Sequence, residues 1–404
     1  MTVDVLVRPP ALSARQARVA VALLFFTNGA LFANLLPRYP QIKADLGMGN
    51  AAYGLAVAAF PAGAIAAGLA AGVLIRRFGS ARLAVACTLL TGAGILTAGV
   101  ANSAVMFAGA LFLAGAMDAI TDVAQNAHGL RVQRLYGRSI INSFHAIWSL
   151  GAVTGGSMAA GAIALGLPRG QHLLISAVVF AIAACVALRF CLHGPETEPA
   201  AEPDADGRES RQAPQPAAAG LRTVYVLAAL VLIATAGTLV EDAGSSWAAL
   251  YLSDWLNASV ALAASGYIAL VGAQFVGRLI GDRLVDRFGQ RAVARAGGLI
   301  VAAGMGLALA VPTVPGTILG FAAAGLGVAT LVPAAMHEAD GLPGLKSGSG
   351  LTIVSWLMRL GFLLSPPAVG LVADGTSLRV GLVVVPLAGL LALLLAGALR
   401  PRRQ

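Results

Sequence analysis

Runs of apolar residues that are long enough to cross a lipid bilayer occupy most of this chain. A helix needs about 20 residues to span a hydrocarbon core about 30 Å thick. Only 11% of the 404 residues are charged, whereas soluble domains carry about 25%. The sequence therefore predicts an all-α membrane protein with twelve transmembrane helices. The twelve runs lie at 17–37, 50–75, 81–101, 104–133, 139–166, 172–191, 221–252, 259–285, 291–311, 315–337, 347–373 and 378–399.

The triplet Arg-Phe-Gly occurs twice in charged loops between apolar runs, at 77–79 and again at 287–289. A period of about half the chain indicates that one membrane-embedded unit has been duplicated. A polar segment rich in Pro, Ala and acidic residues, 193–220, separates the sixth run from the seventh. Such a composition is typical of a flexible tether. We therefore expect two pseudo-symmetric six-helix bundles, 1–192 and 221–404, joined by a cytoplasmic linker at 193–220.

Basic residues cluster in alternate loops, and this pattern orients the chain in the membrane. With both termini and the even-to-odd loops in the cytoplasm, 22 of the 27 Lys and Arg residues, Arg278 among them, lie on that side. Four lie on the other side, namely Arg38, Lys43, Arg169 and Arg379. The pattern predicts a multi-pass protein of a bacterial inner membrane, and the net charge of +9 needs no nucleic-acid partner. The cysteines show no paired spacing, so we expect no disulfide, no metal and no other cofactor.

Small residues recur four positions apart in four of the apolar runs. Such faces let helix backbones approach closely. They indicate either tight packing or surfaces that slide between the two halves. The pairs are Gly68 and Gly72, Gly151 and Gly155, Gly277 and Gly281, and Gly361 and Ser365.

The C-terminal charged loop, Leu284-Val-Asp286-Arg287-Phe288-Gly289-Gln-Arg291, resembles the loop motif of the major facilitator superfamily. Within twelve helices split six and six, the resemblance covers essentially the whole chain. The segments 37–47, 137–151 and 360–367 resemble a bacterial branch that groups with rhizopine transport proteins. The family implies alternating access, in which two six-helix bundles rock about a central site and the loop motifs latch the cytoplasmic side.

The chain departs from the family pattern in three places. Arg76 stands in the N-terminal loop where the C-terminal copy has Asp286, so we expect the C-terminal copy to carry most of the gate. The fourth run lacks the intramembrane Arg that is common in proton-driven drug exporters, and the fifth has no Pro after Gly151. Both differences weigh against a typical multidrug antiporter. The residues that the resemblance places at the cytoplasmic gate are Gly72, Arg76, Arg77, Gly79, Asp282, Asp286, Arg287, Gly289 and Arg291.

Acidic and amide side chains form one stripe along the fourth run. Asp118, Asp122 and Asn126 follow one another at four-residue spacing, which places them on the same face of a helix. Charges within the bilayer are costly unless they face protein or a water-filled cavity. A carboxyl group that can become neutral is what proton coupling requires, so we expect both acids to bind protons or solute. The alternative is that a carboxylate is hydrogen-bonded only for structure.

Further candidates lie on the fifth, seventh and eleventh runs. His145 could relay a proton to a carboxylate or bind an acidic group of the solute. Glu241 and Asp242 precede Gly244, where the seventh run turns polar and a helix break at a cavity is expected. Arg359 stays charged and needs either an anionic solute or a counter-ion, for which Asp118, Glu241 and Asp242 are the candidates. The residues expected to line the cavity are Asn28, Asn126, Asn142, Trp148, Trp247, Gln274 and Trp356.

These patterns predict a secondary active transporter for a small polar organic solute, coupled to protons, with the direction of transport left open. A proton-driven multidrug efflux antiporter is the alternative. A membrane enzyme and a non-transporting sensor are weaker hypotheses, because the sequence shows neither a ligand cluster nor a signalling domain. We expect the protein to act as a monomer, with the solute, protons and the lipid bilayer as its partners.

Overall fold

The computed structural model describes residues 12–136, 140–192, 220–345 and 349–399. The expected linker lies outside these residues except for Gly220, and so does the side chain of Asn142. Twelve of the described segments are long and apolar enough to cross a membrane. The expected all-α fold, with two pseudo-symmetric six-helix bundles, is confirmed.

The N-terminal half supplies eight helices to six of these segments. Two of the eight helices are short. Helix α2 forms the end of the first span, and α4 follows the second span. The helices are α1 (Leu12–Ala33), α2 (Tyr39–Asp45), α3 (Asn50–Gly68), α4 (Ala71–Phe78), α5 (Ser80–Gly99), α6 (Ala104–Tyr136), α7 (Ile141–Ala164) and α8 (Arg169–Phe190).

The C-terminal half has the same order of spans, although three of them are built from two helices each. The helices are α9 (Leu221–Leu250), α10 (Val260–Phe288), α11 (Gln290–Ala310), α12 (Val314–Val328), α13 (Leu331–Asp340), α14 (Ser349–Leu357), α15 (Arg359–Gly375), α16 (Leu378–Gly381) and α17 (Val384–Leu395). A π-helical turn, Tyr251–Trp255, extends α9.

The helix breaks do not fall where the sequence suggested. The expected break at Gly244 is wrong, because α9 continues through it. A side chain at Gly244 would overlap the Leu270 side chain, so this glycine permits close packing of α10 against α9. The eleventh span is interrupted instead at Met358, between α14 and α15.

Each half packs mainly against itself, and four helices make most of the contacts between the two halves. Within the N-terminal half α6 packs on α3 and α5, and α1 packs on α7. Within the C-terminal half α12 packs on α10 and α11, and α17 packs on α9 and α11. The main contacts between the halves are α3 with α15 and α7 with α10.

Most of the small-residue pairs serve packing inside one half, so the sliding-surface interpretation is wrong for them. Side chains at Gly151 and Gly155 would overlap the backbone of α1, and one at Gly361 would overlap Thr238 of α9. Close approach between the halves occurs instead at Gly54, where a Cβ would overlap the backbone carbonyl of Pro366. Gly54, which lies at this contact between the halves, is not part of the four-residue pattern.

The duplicated loop is a repeat in backbone geometry as well as in sequence. Gly79 ends α4 with φ +82°, and Gly289 ends α10 with φ +84°. A left-handed φ is strained for residues with a Cβ, which explains a glycine at both positions. The preceding guanidinium groups, of Arg77 and Arg287, lie over the rings of the phenylalanines that follow them, at 5.4 Å and 5.3 Å.

A second pair of arginines follows the same repeat at the opposite end of the bundle. Arg169, the first residue of α8, donates from Nε to the carbonyl of Gly99 at the end of α5. Arg379 donates from Nε to the carbonyl of Leu309, 2.6 Å away, near the end of α11. A cation at a helix C-terminus is favoured by the helix dipole. These contacts explain the positions of Arg169 and Arg379, two of the four basic residues that the charge pattern placed on the side opposite the cytoplasm.

Candidate functional site

A chain of hydrogen bonds holds Asp118 within the N-terminal half. The side-chain amide of Asn28 donates to Oδ1 of Asp118 at 2.7 Å, and the indole N–H of Trp148 donates to the Asn28 carbonyl oxygen, also at 2.7 Å. Three helices, α6, α1 and α7, thus meet at one carboxylate. The sequence placed these three residues at the site, and the structure brings them together.

Asp122 lies one turn further along α6, next to a cavity between the two halves. Its Oδ1 accepts a hydrogen bond from the amide of Asn126 at 3.0 Å. The Asp122 side chain also lines a cavity of about 340 Å³ between the two halves. His145 on α7 is exposed and packs edge-on against Phe25, with ring centroids 5.3 Å apart. Asp122 is an acid that interacts with it electrostatically.

Glu241 forms a polar cluster that links the two halves. Its Oε2 accepts a hydrogen bond from Gln274 at 2.8 Å and lies 3.8 Å from the Arg278 guanidinium. Arg278 also donates to the hydroxyl of Ser149, 3.1 Å away on α7. The guanidinium therefore connects α9 and α10 of one half with α7 of the other. The contact across the halves is thus made by a guanidinium that also pairs with a carboxylate of its own half.

Arg278 is the principal residue that the sequence interpretation missed. It was counted with the cytoplasmic loops, but it lies within α10, ten residues before the helix ends. The available signal was its position four residues after Gln274, which places both side chains on one helix face.

Arg359 is the first residue of α15 and lines the same 340 Å³ cavity as Asp122. None of its expected counter-ions, Asp118, Glu241 or Asp242, pairs with it. Among the described residues, no carboxylate lies within the 4.0 Å of an ion pair with this guanidinium. Asp122 is the carboxylate that interacts with it electrostatically, from the opposite half. Trp356, 52% exposed, lines the cavity one turn before it.

The opposite end of the interface is closed by contacts between the halves, and we call it the sealed end. It contains Asn50 and Tyr53 of α3, Ser246 and Trp247 of α9, and Asp374 of α15. The Tyr53 hydroxyl donates to the Ser246 carbonyl at 2.7 Å, and the Trp247 ring packs edge-on against Tyr53. Trp247 is fully buried. It therefore belongs to this closure rather than to the cavity that it was expected to line.

Asp374 supplies two more hydrogen bonds at the sealed end. Its two carboxylate oxygens accept hydrogen bonds from the backbone N–H groups of Asn50, at 2.9 Å, and Ala51, at 2.8 Å. The N-cap residue of α3 is Gly49, which has no side chain to cap the helix. A residue of one half thus caps a helix of the other.

Asp242 is buried next to the sealed end and not at the cavity. Its Oδ2 has no hydrogen-bond partner among the described residues. It interacts electrostatically with Tyr39 and Tyr53 of the N-terminal half. The two adjacent acids of α9 therefore have different surroundings, since Glu241 pairs with Arg278 and Asp242 faces tyrosines.

The expected gate residues lie at the end of the bundle that carries Gly79 and Gly289, the loop-motif end. Except for the partly buried Arg291, their charged side chains are exposed, and within the described residues no ion pair joins the two loops. Arg291 instead donates to the carbonyls of Gly397 and Leu399, at 2.8 Å and 2.9 Å, in its own half. The loops are not latched together in this conformation.

A larger cavity of about 630 Å³ lies at the sealed end and is lined by Arg38, Asp45 and Arg169. All its lining residues belong to the N-terminal half. A site that moves solute between two halves must contact both, so the smaller cavity is the better candidate.

A family model described as the Major Facilitator Superfamily matches residues 21–284. The chain belongs to this superfamily. A transporter of Sinorhizobium fredii, named y4wD and described as uncharacterized, is 29% identical over 94% of this chain and 97% of its own length. The membrane protein MosC of Rhizobium meliloti is 27% identical over 92% of this chain and 87% of its own length. The expected branch within the superfamily is confirmed by these relatives.

Solved structures of superfamily transporters share the fold. A nucleoside transporter, NupG, superposes with a TM-score of 0.72 over 95% of this chain and 98% of its own, at 11% identity. A bacterial homologue of the human lysosomal transporter Spinster, in an inward-facing and unoccupied conformation, gives 0.71 over 96% of this chain and 98% of its own, at 14% identity. At such identities the likeness shows the fold alone.

Proposed function

We propose that this superfamily member is a secondary active transporter that moves a small polar organic solute by alternating access, coupled to protons. One observation carries the proposal. The cavity between the halves is lined by an acid of α6, Asp122, and a base of α15, Arg359. Ionisable groups inside a membrane protein are expensive and mark solute or proton pathways.

The proposed units are the two bundles, 1–192 and 221–404, which move as bodies about the cavity while the linker at 193–220 keeps them together. The contacts between α3 and α15 and between α7 and α10 are the surfaces that must change. We place the protein, as a monomer, in a bacterial inner membrane with cytoplasmic termini. The loop-motif end is then cytoplasmic, and the structure corresponds to an inward-facing state.

Asp118 is the proposed proton-coupling group. It is linked through Asn28 to Trp148, so a change in its charge would alter packing among three helices of the N-terminal half. Glu241 is the second proposed coupling group, because protonation would weaken its contact with Arg278, whose guanidinium also binds Ser149 of the other half. We propose that His145 exchanges protons with Asp122, an acid with which it interacts electrostatically.

At the loop-motif end, Asp286 and its neighbours form the proposed cytoplasmic gate when that end closes. The asymmetry between Asp286 and Arg76 supports a gate that depends mainly on the C-terminal loop. Asp286→Asn should therefore change the balance between conformations more than any substitution of Arg76.

The test is solute flux in proteoliposomes under an imposed pH gradient, with a solute found by thermal-shift screening of sugars, polyols, amino-acid-like compounds and amphiphilic drugs. Asp118→Asn should abolish proton-driven accumulation and leave counterflow exchange measurable. Asp45→Asn, which removes an exposed acid far from the cavity, is the matched control.

Two results would contradict parts of this proposal. Equal loss of accumulation and counterflow in Asp118→Asn would assign Asp118 to binding or structure. No movement of any solute by a folded wild-type protein would contradict transport itself, and preference for amphiphilic drugs would favour multidrug export.

A further inference from the structure

Two opposite charges face the central cavity from opposite halves without pairing with each other. Arg359 lies on the C-terminal side and Asp122 on the N-terminal side of a space of about 340 Å³. Within the described residues, their charged atoms are not within 4.0 Å of each other. A charged pair held apart across a cavity can bind a molecule that carries both complementary charges.

The position of Arg359 is fixed by the break in its span. The hydroxyl of Thr238 on α9 donates to the carbonyl of Met358 at 2.8 Å, immediately before Arg359. Gly361 then packs so closely on Thr238 that a Cβ would overlap the hydroxyl oxygen. Arg359 therefore starts a new helix from a backbone that α9 holds in place. Preorganised groups of this kind bind a ligand at lower entropic cost.

The other charged groups near the cavity already have partners in the protein. Arg278 pairs with Glu241 and binds Ser149. Asp118 accepts the hydrogen bond from Asn28. Arg359 has no ion-pair partner among the described residues. Asp122 accepts a hydrogen bond from Asn126, but it lines the cavity together with Arg359, so these two residues are the acid and the base that a solute there can contact.

The remaining surface of the cavity favours a small amphipathic molecule. Ligand pockets typically measure about 300–1,000 Å³, and this cavity lies near the lower limit. Trp356 offers an exposed aromatic face one helical turn from Arg359, and the N-terminal half contributes Ile65 of α3 and Leu69, the residue after α3, to the lining. Because guanidinium groups bind carboxylates in bidentate geometry, the Arg359 side of the cavity suits a carboxylate next to an apolar group.

We propose that the solute is a small zwitterion, with a carboxylate bound by Arg359 and a protonated amine bound by Asp122. This inference rests on the proposed transport function and specifies the solute of the same site. A solute that connects α6 of one half to α15 of the other draws the halves together on the cavity side. Binding would thus promote closure of the loop-motif end, which is what alternating access requires of a substrate.

Equilibrium binding to the purified full-length protein tests the charge requirement. The probes are three amino acids, with aliphatic, aromatic and hydroxylated side chains, and for each its carboxamide, its decarboxylated amine and its deaminated acid. At least one amino acid should bind at least tenfold more tightly than its three analogues, each of which lacks one charge. Arg359→Gln should abolish the preference for the amino acid over its carboxamide, and Arg359→Lys should restore part of this preference. Arg295→Gln, at an exposed position outside the cavity, should leave binding unchanged.

Asp122→Asn should instead abolish the preference for the amino acid over its deaminated acid. A preference for the amides or simple amines would overturn the proposal, and so would failure of every amino acid to bind. A solute without a carboxylate that shows proton-driven flux would overturn this inference but leave the transport function standing. Unchanged selectivity in a folded Arg359→Gln protein would show that this guanidinium does not bind the solute.

Discussion

Replacing Asp374 by alanine should destabilise the sealed end without unfolding the protein. The carboxylate caps α3 of the opposite half through two backbone N–H groups, and Gly49 provides no substitute. Loss of a helix cap costs about 0.5–2 kcal/mol, and a negative charge at an exposed helix N-terminus contributes about 0.3–1 kcal/mol. Both interactions exist only while the sealed end is closed, so their loss changes the balance between conformations.

Because Asp374 is exposed, we expect a combined effect of about 1–2 kcal/mol. This energy corresponds to a shift of about 5- to 30-fold in the ratio of closed to open sealed ends. Asp374→Asn keeps one acceptor oxygen and should have a smaller effect than Asp374→Ala.

Distances between spin labels at Leu165 and Val311 can measure this shift. Both positions are exposed, and they end α7 and α11 on the same side of the protein, one in each half. The labels require a background without the three native cysteines. Asp374→Ala should add a population with a longer distance.

Asp45→Ala is the control, because Asp45 pairs with Arg169 at the same end but inside one half. The reasoning is refuted if Asp374→Ala leaves the distance distribution unchanged. It is equally refuted if Asp45→Ala produces the same change, since the effect would then not depend on a contact between halves.

Two further predictions concern the interface between the halves. Glu241→Gln and Arg278→Gln should each slow transport. Because the two residues are in contact, the effect of the double variant should differ from the sum of the single effects by about 0.5–3 kcal/mol. Additive effects on the transport rate would contradict the pairing. Gly54→Ala should lengthen the same labelled distance, because its Cβ would overlap the Pro366 carbonyl, whereas Gly109→Ala, with no other atom within 4 Å of the added Cβ, should not. Identical distances in the two glycine variants would argue against this contact as a limit on closure.

The fold could be predicted because its determinants are local. Each span needs a sufficient length of apolar sequence, and the repeat is visible wherever the backbone requires a glycine, as at Gly79 and Gly289. The break at Met358 could not be predicted in this way, because neither Pro nor Gly marks it. It depends on Thr238, which is 120 residues away in the chain.

The acids of the site were predictable, but several of their partners were not. Asp118 and Asp122 stand out because charge is rare in apolar helices. Arg278 was misplaced because the positive-inside rule counts charge near helix ends and cannot distinguish an arginine that points into the protein. The cap by Asp374 joins residues more than 300 positions apart, so no pattern along one helix could reveal it.

Two arginines, Arg169 at the start of α8 and Arg379 near the start of the last span, each hold together the spans of one half. Arg169 ties the sixth span to the end of the third, and Arg379 ties the twelfth to the end of the ninth. Each contact therefore joins the first three spans of a half to its last three, and neither crosses between halves. In the proposed transport cycle we therefore expect each half to move as one body, with the largest changes where α3 meets α15 and α7 meets α10.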